Sequence, residues 1–263
     1  MGKDKEIYSF ALEDDLFLHY HWFMHPGTGE YDKDLVKQLL SYHIYPFIYN
    51  IAQAKRTGLK LSYQIQNQLH HKTYRDHDLE TLADETEFKC ILSSSKCDFP
   101  YINIYDDKIK TTLGGTFFHT ENREKAKRHI NKLCRKARNI TIFDKYLTEE
   151  DARNLCQLFP KERNLTIHIH NKNIEDKGVP VYGYQAIAKI FNNADKQWEV
   201  EGQELLVNSH HDRYIVIDDS LAIVLTSGVA NLFSNDRDFT YVITPIKNNM
   251  LLRAPSIEPQ RRQ

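Results

Sequence analysis

From Asn139 to Ile243 the chain switches repeatedly between two hydrophobic periods. Asn139–Phe143, Leu165–His170, Arg213–Ile217, Leu221–Leu225 and Phe239–Ile243 are short runs rich in Ile, Val, Thr and aromatic residues, as strands require. Trp198–Val207 also reads as a strand. Between these runs, Asn122–Arg138, Thr148–Phe159 and Tyr184–Asn192 repeat apolar residues at helical spacing, with Thr148 as an N-cap and Asp151 at the third helical position. Strands alternating with helices predict an α/β layered domain over 110–247.

The first 109 residues are less regular and predict a smaller α+β region. Leu35, Val36, Leu39, Leu40 and His43 recur at helical spacing behind Asp32 or Asp34 as a cap, and Pro46 ends that helix. Leu59–Gln66 alternates like a strand, residues 70–87 are charged enough to face water, and Phe88–Leu92 and Tyr101–Tyr105 read as short strands. Ala254 onward resembles a disordered end, which gives a tail over 248–263. No apolar run approaches 18 residues and mean hydropathy is −0.59, so no transmembrane helix is expected. The N-terminal decapeptide lacks the apolar core of a secretory signal. Cysteines 90, 97, 134 and 156 form no CxxC pair, which suits a reduced, cytoplasmic protein.

The chemistry concentrates in Ser209-His210-His211-Asp212-Arg213, followed by a strand ending before Asp218 and then Thr226-Ser227-Gly228 with Asn231 beyond. Alternation along a strand puts His211 and Arg213 on one face and His210 on the other. A guanidinium can hold two phosphate oxygens while an adjacent imidazole attacks phosphorus or moves a proton. The Thr226 and Ser227 hydroxyls and nearby amides would complete an anion cradle. Asp144 and Tyr146 follow a strand's carboxyl end, where α/β proteins place their sites. The plain alternative is a structural pair in which Arg213 bridges Asp212 or Asp218.

The spacing His211-x-Arg213-x4-Asp218 resembles the His-x-Lys-x4-Asp signature of the phospholipase D superfamily, with Arg in place of Lys and with Ser227, Gly228 and Asn231 only loosely matching its Gly-Ser-x-Asn. The order of Asp144-Lys-Tyr146-Leu, similar to an Asp-Pro-Tyr strand end, and Ser-x-His-Asp-Arg is closer to the phospholipase-D-like C-terminal domain of MIT-domain proteins and its bacterial relatives. That likeness spans roughly residues 110–246. It implies a mixed sheet with flanking helices, His211 as nucleophile or general acid, Arg213 as the phosphate-binding cation and Asp218 as the trailing, mainly structural acid. Catalytic relatives need two motif copies, and this chain has one: Asp76 and Asp78 stand at the wrong spacing from His70 to make His70-His71-Lys72 a second. The resemblance therefore implies a metal-independent phosphodiesterase, a nuclease, working as a homodimer with two His211 side chains facing each other. The non-catalytic MIT relatives imply the alternative, a domain that binds nucleic-acid phosphate or acidic phospholipid head groups.

With 35 Lys+Arg against 36 Asp+Glu, the net charge of −1 excludes wholesale coating of a polyanion but allows local patches. One lies within 123–138, where eight cations, Arg128, Lys132, Arg135 and Lys136 among them, share an amphipathic helix with Ala126, Ile130, Leu133 and Ala137. His19, His21 and His25 would suit zinc if they alternated on a strand, whereas a His- and aromatic-rich core edge needs no metal. No metal and no cofactor is expected.

Overall fold

The computed structural model describes residues 8–41, 46–109, 114–171, 174–176, 179–204 and 213–246. His211, with Ser209, His210 and Asp212 beside it, lies outside the described residues, as do His43 and the expected tail over 248–263. The chain divides into two compact units. The first comprises Met1–Thr116 and Glu124–Leu133, and the second Phe117–Arg123 and Cys134–Gln263. The break expected at 109/110 thus falls a few residues later, and most of the basic helix groups with the first unit.

The first unit contains β1 (Phe10–Leu12), α1 (Asp14–Met24), α2 (Lys33–Leu40), β2 (Phe47–Ile48), α3 (Ile51–Arg56), α4 (Tyr63–His70), α5 (Leu79–Ala83), β3 (Ile91–Ser93), β4 (Tyr101–Asn103) and most of α6 (Glu124–Cys134). Its strands run in the order β2-β1-β3-β4, and every pairing is parallel. Helices separate β1 from β2 and β2 from β3, whereas β3 and β4 are joined without one. Strands of two and three residues carry too little alternation to declare their direction.

Local signals explain most of the helices. Asp32 caps α2 by accepting from the amides of Asp34 and Leu35. Asn50, Ser62 and Asp78 cap α3, α4 and α5 in the same way. The Ser62 cap overturns the strand read over Leu59–Gln66, because the amide of Ile65 donates to its hydroxyl and starts a helix. Leu61, Ile65 and Leu69 then recur four apart and pack with Ile51 and Ala54. In the charged 70–87 stretch, Leu82 and Ala83 are fully buried. The three N-terminal histidines lie on α1 and its C-cap: His19 pairs with Asp15, and His21 stacks on His25 at 4.2 Å. Among the described residues, no group of three or more His, Cys, Asp or Glu is placed to hold a metal ion.

The second unit follows β5 (Gly115–Phe117), in which the division falls. It contains β6 (Asn139–Phe143), α7 (Glu149–Leu155), β7 (Leu165–Asn171), β8 (Ile174–Asp176), β9 (Val179–Tyr182), α8 (Tyr184–Ala194), β10 (Trp198–Glu204), β11 (Arg213–Ile217), β12 (Leu221–Leu225), α9 (Ala230–Phe233) and β13 (Phe239–Pro245). The main sheet has the order β10-β7-β6-β11-β12-β13-β5, and β8-β9 is a separate hairpin. β10, β7 and β6 are parallel, while β11, β12 and β13 join antiparallel, so this is the mixed sheet with flanking helices expected. Alternate residues such as Ile140, Ile142, Ile167, Ile169, Ile215 and Ile223 are buried. Each fully buried side chain of this kind contributes about 1.5–3 kcal/mol. Thr148 and Asp151 form a complete capping box at α7. Phe159, Phe191 and Trp198 pack together with ring centroids 5.9 and 6.3 Å apart.

Among the described residues, no helix is long and apolar enough to cross a membrane.

Candidate active site

The register of the second sheet brings the chemically marked residues to one edge. β11 runs antiparallel to β6 with Tyr214 opposite Phe143, so Arg213 enters the sheet beside Asp144 as β6 ends. β12 pairs Leu225 with Arg213, so the Thr226-Ser227-Gly228 turn leaves the sheet at the same edge. The carboxyl ends of β6, β7 and β12 and the start of β11 therefore meet, as expected for a site in an open α/β sheet.

Asp144 is the centre of this edge. Its side chain is 4% exposed and lies 3.9 Å, measured Oδ1 to Nε, from Arg213, itself 22% exposed. The Tyr146 amide donates to Oδ1 at 2.9 Å and the Val229 amide to Oδ2 at 3.1 Å. Burial pushes the Asp144 carboxyl above its ordinary value; the two amides and Arg213 pull it partly back.

Two further contacts frame Arg213. Its guanidinium lies 5.8 Å from the centroid of the Tyr146 ring, which is half exposed, and Lys145 reaches the same ring at 5.5 Å. Gly228 has φ +88°, and a Cβ there would meet Asp144 Oδ2 at 3.6 Å and Arg213 Nε at 3.7 Å. Those are ordinary contact distances, so the left-handed turn and not a shortage of space selects glycine.

The expected cradle differs in detail. Thr226 and Ser227 donate their hydroxyls to the carbonyls of Thr240 and Asp238, at 3.1 and 3.2 Å, and the Asn231 amide donates to the Ser227 carbonyl. These three residues shape the turn through the protein's own carbonyls. Arg128 donates to the Phe99 carbonyl, Lys132 pairs with Asp84 at 3.1 Å and Lys125 with Asp107 at 2.6 Å, so these cations of the basic helix serve the first unit. Arg135 and Lys136, just beyond α6, also make contacts of their own.

Asp218, expected as the trailing and mainly structural acid, does not reach this edge of the sheet. It stands past the far end of β11, about 17 Å along the strand from Arg213. There, with φ +49°, it accepts the amides of Arg138 and Asn139, both at 2.8 Å, and fastens the start of β6. Asp218→Ala should therefore lower stability by about 1–2 kcal/mol in urea unfolding, with phosphate-ligand affinity unchanged. A tenfold loss of affinity in the folded variant would return Asp218 to the site.

Sequence reasoning missed the supports that act through backbone. The Asp144 amide donates to the His170 carbonyl at 3.2 Å, and buried Asn171 donates to the Leu147 carbonyl at 3.0 Å, fixing the turn that carries Tyr146. The His170 ring stacks on Phe143 at 4.4 Å, and burial, then His168, lowers its pKa. Only the glycine of Thr-Ser-Gly and the asparagine ending β7 signalled any of this.

No family model and no curated protein matches the chain. Among solved structures, TrmBL2, an archaeal chromatin protein described as showing a novel mode of DNA binding, aligns with 13% identity over 49% of this chain and 45% of its own, with a TM-score of 0.23. At that score the alignment says nothing about this chain's fold or partners.

Proposed function

We propose that the chain is a metal-independent phosphodiesterase, a nuclease, acting in the cytoplasm as a homodimer. The observation that supports this reading is the meeting of Arg213, Asp144, Tyr146 and the Gly228 turn at one sheet edge, with His211 two residues before Arg213 in sequence. In the reaction, a His211 imidazole nitrogen attacks phosphorus, forming a P–N bond as the P–O bond to the leaving group breaks. The partner's His211, protonated, gives its proton to the departing oxygen. That imidazole then takes a proton from water, whose oxygen cleaves the P–N bond and restores both histidines. Arg213 spans two non-bridging oxygens and offsets the charge that builds on them. Asp144, 3.9 Å from the guanidinium, fixes its direction.

The test is cleavage of bis(p-nitrophenyl) phosphate and labelled oligonucleotides by the full chain in excess EDTA. Turnover should persist, and a folded His211→Ala variant should lose at least about 1000-fold, as expected when a covalent nucleophile is removed. Activity that disappears in EDTA, or survives in His211→Ala, would overturn the mechanism. Oligonucleotide binding without cleavage would leave the non-catalytic phosphate-binding reading.

A further inference from the structure

Tyr146 is large and, among the described residues, half exposed, with Arg213 and Lys145 beside its ring. Its backbone amide is held by Asp144, the carboxylate that also flanks Arg213, so ring and guanidinium share one anchor. The guanidinium lies within cation–π range of the ring, at 5.8 Å. An aromatic surface and a phosphate-seeking cation are thus held side by side, as they would be to meet the base and the phosphate of one nucleotide. Resting on the phosphodiester reading of this edge, we infer that its substrate is single-stranded nucleic acid, with a base stacked on Tyr146 and the adjoining phosphate on Arg213.

Two observations favour a single strand over a duplex. A base can lie flat on the ring only when its face is free, which duplex stacking forbids. Duplex tracking instead needs a broad row of cations. In α6, the expected source, Lys125, Arg128 and Lys132 are engaged by Asp107, the Phe99 carbonyl and Asp84. Tyr146 also stands on the turn between β6 and α7, which is neither a helix nor a ribbon able to enter a groove. The stacking contact tolerates any base, so the selectivity is for strandedness and not for sequence.

The test is fluorescence anisotropy of the full chain with a labelled 12-nucleotide single strand, the same sequence as a duplex, and the single strand with abasic nucleotides, with cleavage followed on the same samples. The single strand should bind more tightly than the duplex. Tyr146→Ala should weaken single-strand binding between about fivefold and about 100-fold, the range for losing one base stack. Duplex binding should not change, Tyr146→Phe and Tyr146→Trp should restore affinity, and abasic strands should bind wild type and Tyr146→Ala alike. Equal affinity for both forms, or a Tyr146→Ala variant that binds like wild type, overturns the inference even where cleavage continues. Stacking through Tyr146 with no cleavage, or with cleavage indifferent to His211→Ala, supports it and sinks the enzymatic reading. Binding to vesicles containing phosphatidylserine with none to oligonucleotides overturns both.

Discussion

Asp144→Ala is expected to destabilise the second unit by about 3 kcal/mol. The substitution removes a buried carboxylate that accepts two amides, those of Tyr146 and Val229, and that faces Arg213 across 3.9 Å. Removing one member of a buried pair leaves the other without compensation, which costs about 3–5 kcal/mol when both are fully buried. The partial exposure of Arg213 places the effect at the lower end. The two tryptophans make this measurable, since Trp22 lies in the first unit and Trp198 in the second. In a Trp22→Phe background, urea unfolding followed at Trp198 reports the second unit alone. A loss below about 1 kcal/mol would remove Asp144 from the centre of the site.

Asp144→Asn separates charge from shape. Burial raises the folded pKa of Asp144 above the 3.8 of an unfolded aspartate. Between those values the folded state binds more protons, so this group's contribution to stability falls as pH rises through the window and is flat above it. The asparagine variant lacks that dependence, and its stability relative to wild type should improve from pH 4 upward until the folded carboxyl has ionised.

Acid should weaken the first unit through a different residue. His129, on α6, is fully buried, its Nε2 lies 3.2 Å from the Phe88 carbonyl, and its pKa is lowered from 6.5 to about 4. Burial is the main cause; Lys125 and Lys132 add to it, and the Phe88 carbonyl opposes it. Below pH 6.5 the unfolded chain takes up a proton that the folded chain refuses until about pH 4. The histidine's contribution is thus intact above pH 6.5 and is lost as pH falls through that window, on the order of 3 kcal/mol in all. Trp22 fluorescence in a Trp198→Phe background should show this loss, and His129→Gln should flatten it. A wild-type profile level from pH 7 to pH 4 would mean that the imidazole gains a proton in place.

Much of the second unit was legible because its strands are long enough to show a period. Arg213–Ile217 and Leu221–Leu225 begin and end where alternation placed them, and the Thr148 capping box stands where spacing put it. The first unit was less legible: two-residue and three-residue strands carry no direction, and the Ser62 cap turned an alternating run into a helix. At the site, the side chains with distinctive chemistry could be found from sequence, and Asp144, Tyr146 and Arg213 do meet. What sequence could not supply is the backbone that holds them, since the Val229 amide and the His170 carbonyl have no side-chain signature. Nor does motif spacing carry direction along a strand, so Asp218, five residues from Arg213, went to the opposite end of the sheet.

That displaced aspartate completes a symmetry of fastening. At one end of β6, Asp218 of the β11–β12 turn ties down the amides of Arg138 and Asn139; at the other, Asp144 takes the amide of Val229 just past β12. A strand riveted at both ends to the same hairpin cannot fray from either, and the three strands must open as one cooperative block. On the proposed reading, a nucleic-acid strand at this edge would have to fit a frame already fastened by the fold. The entropy of fitting then falls on the guest, while the host has already spent its own in folding.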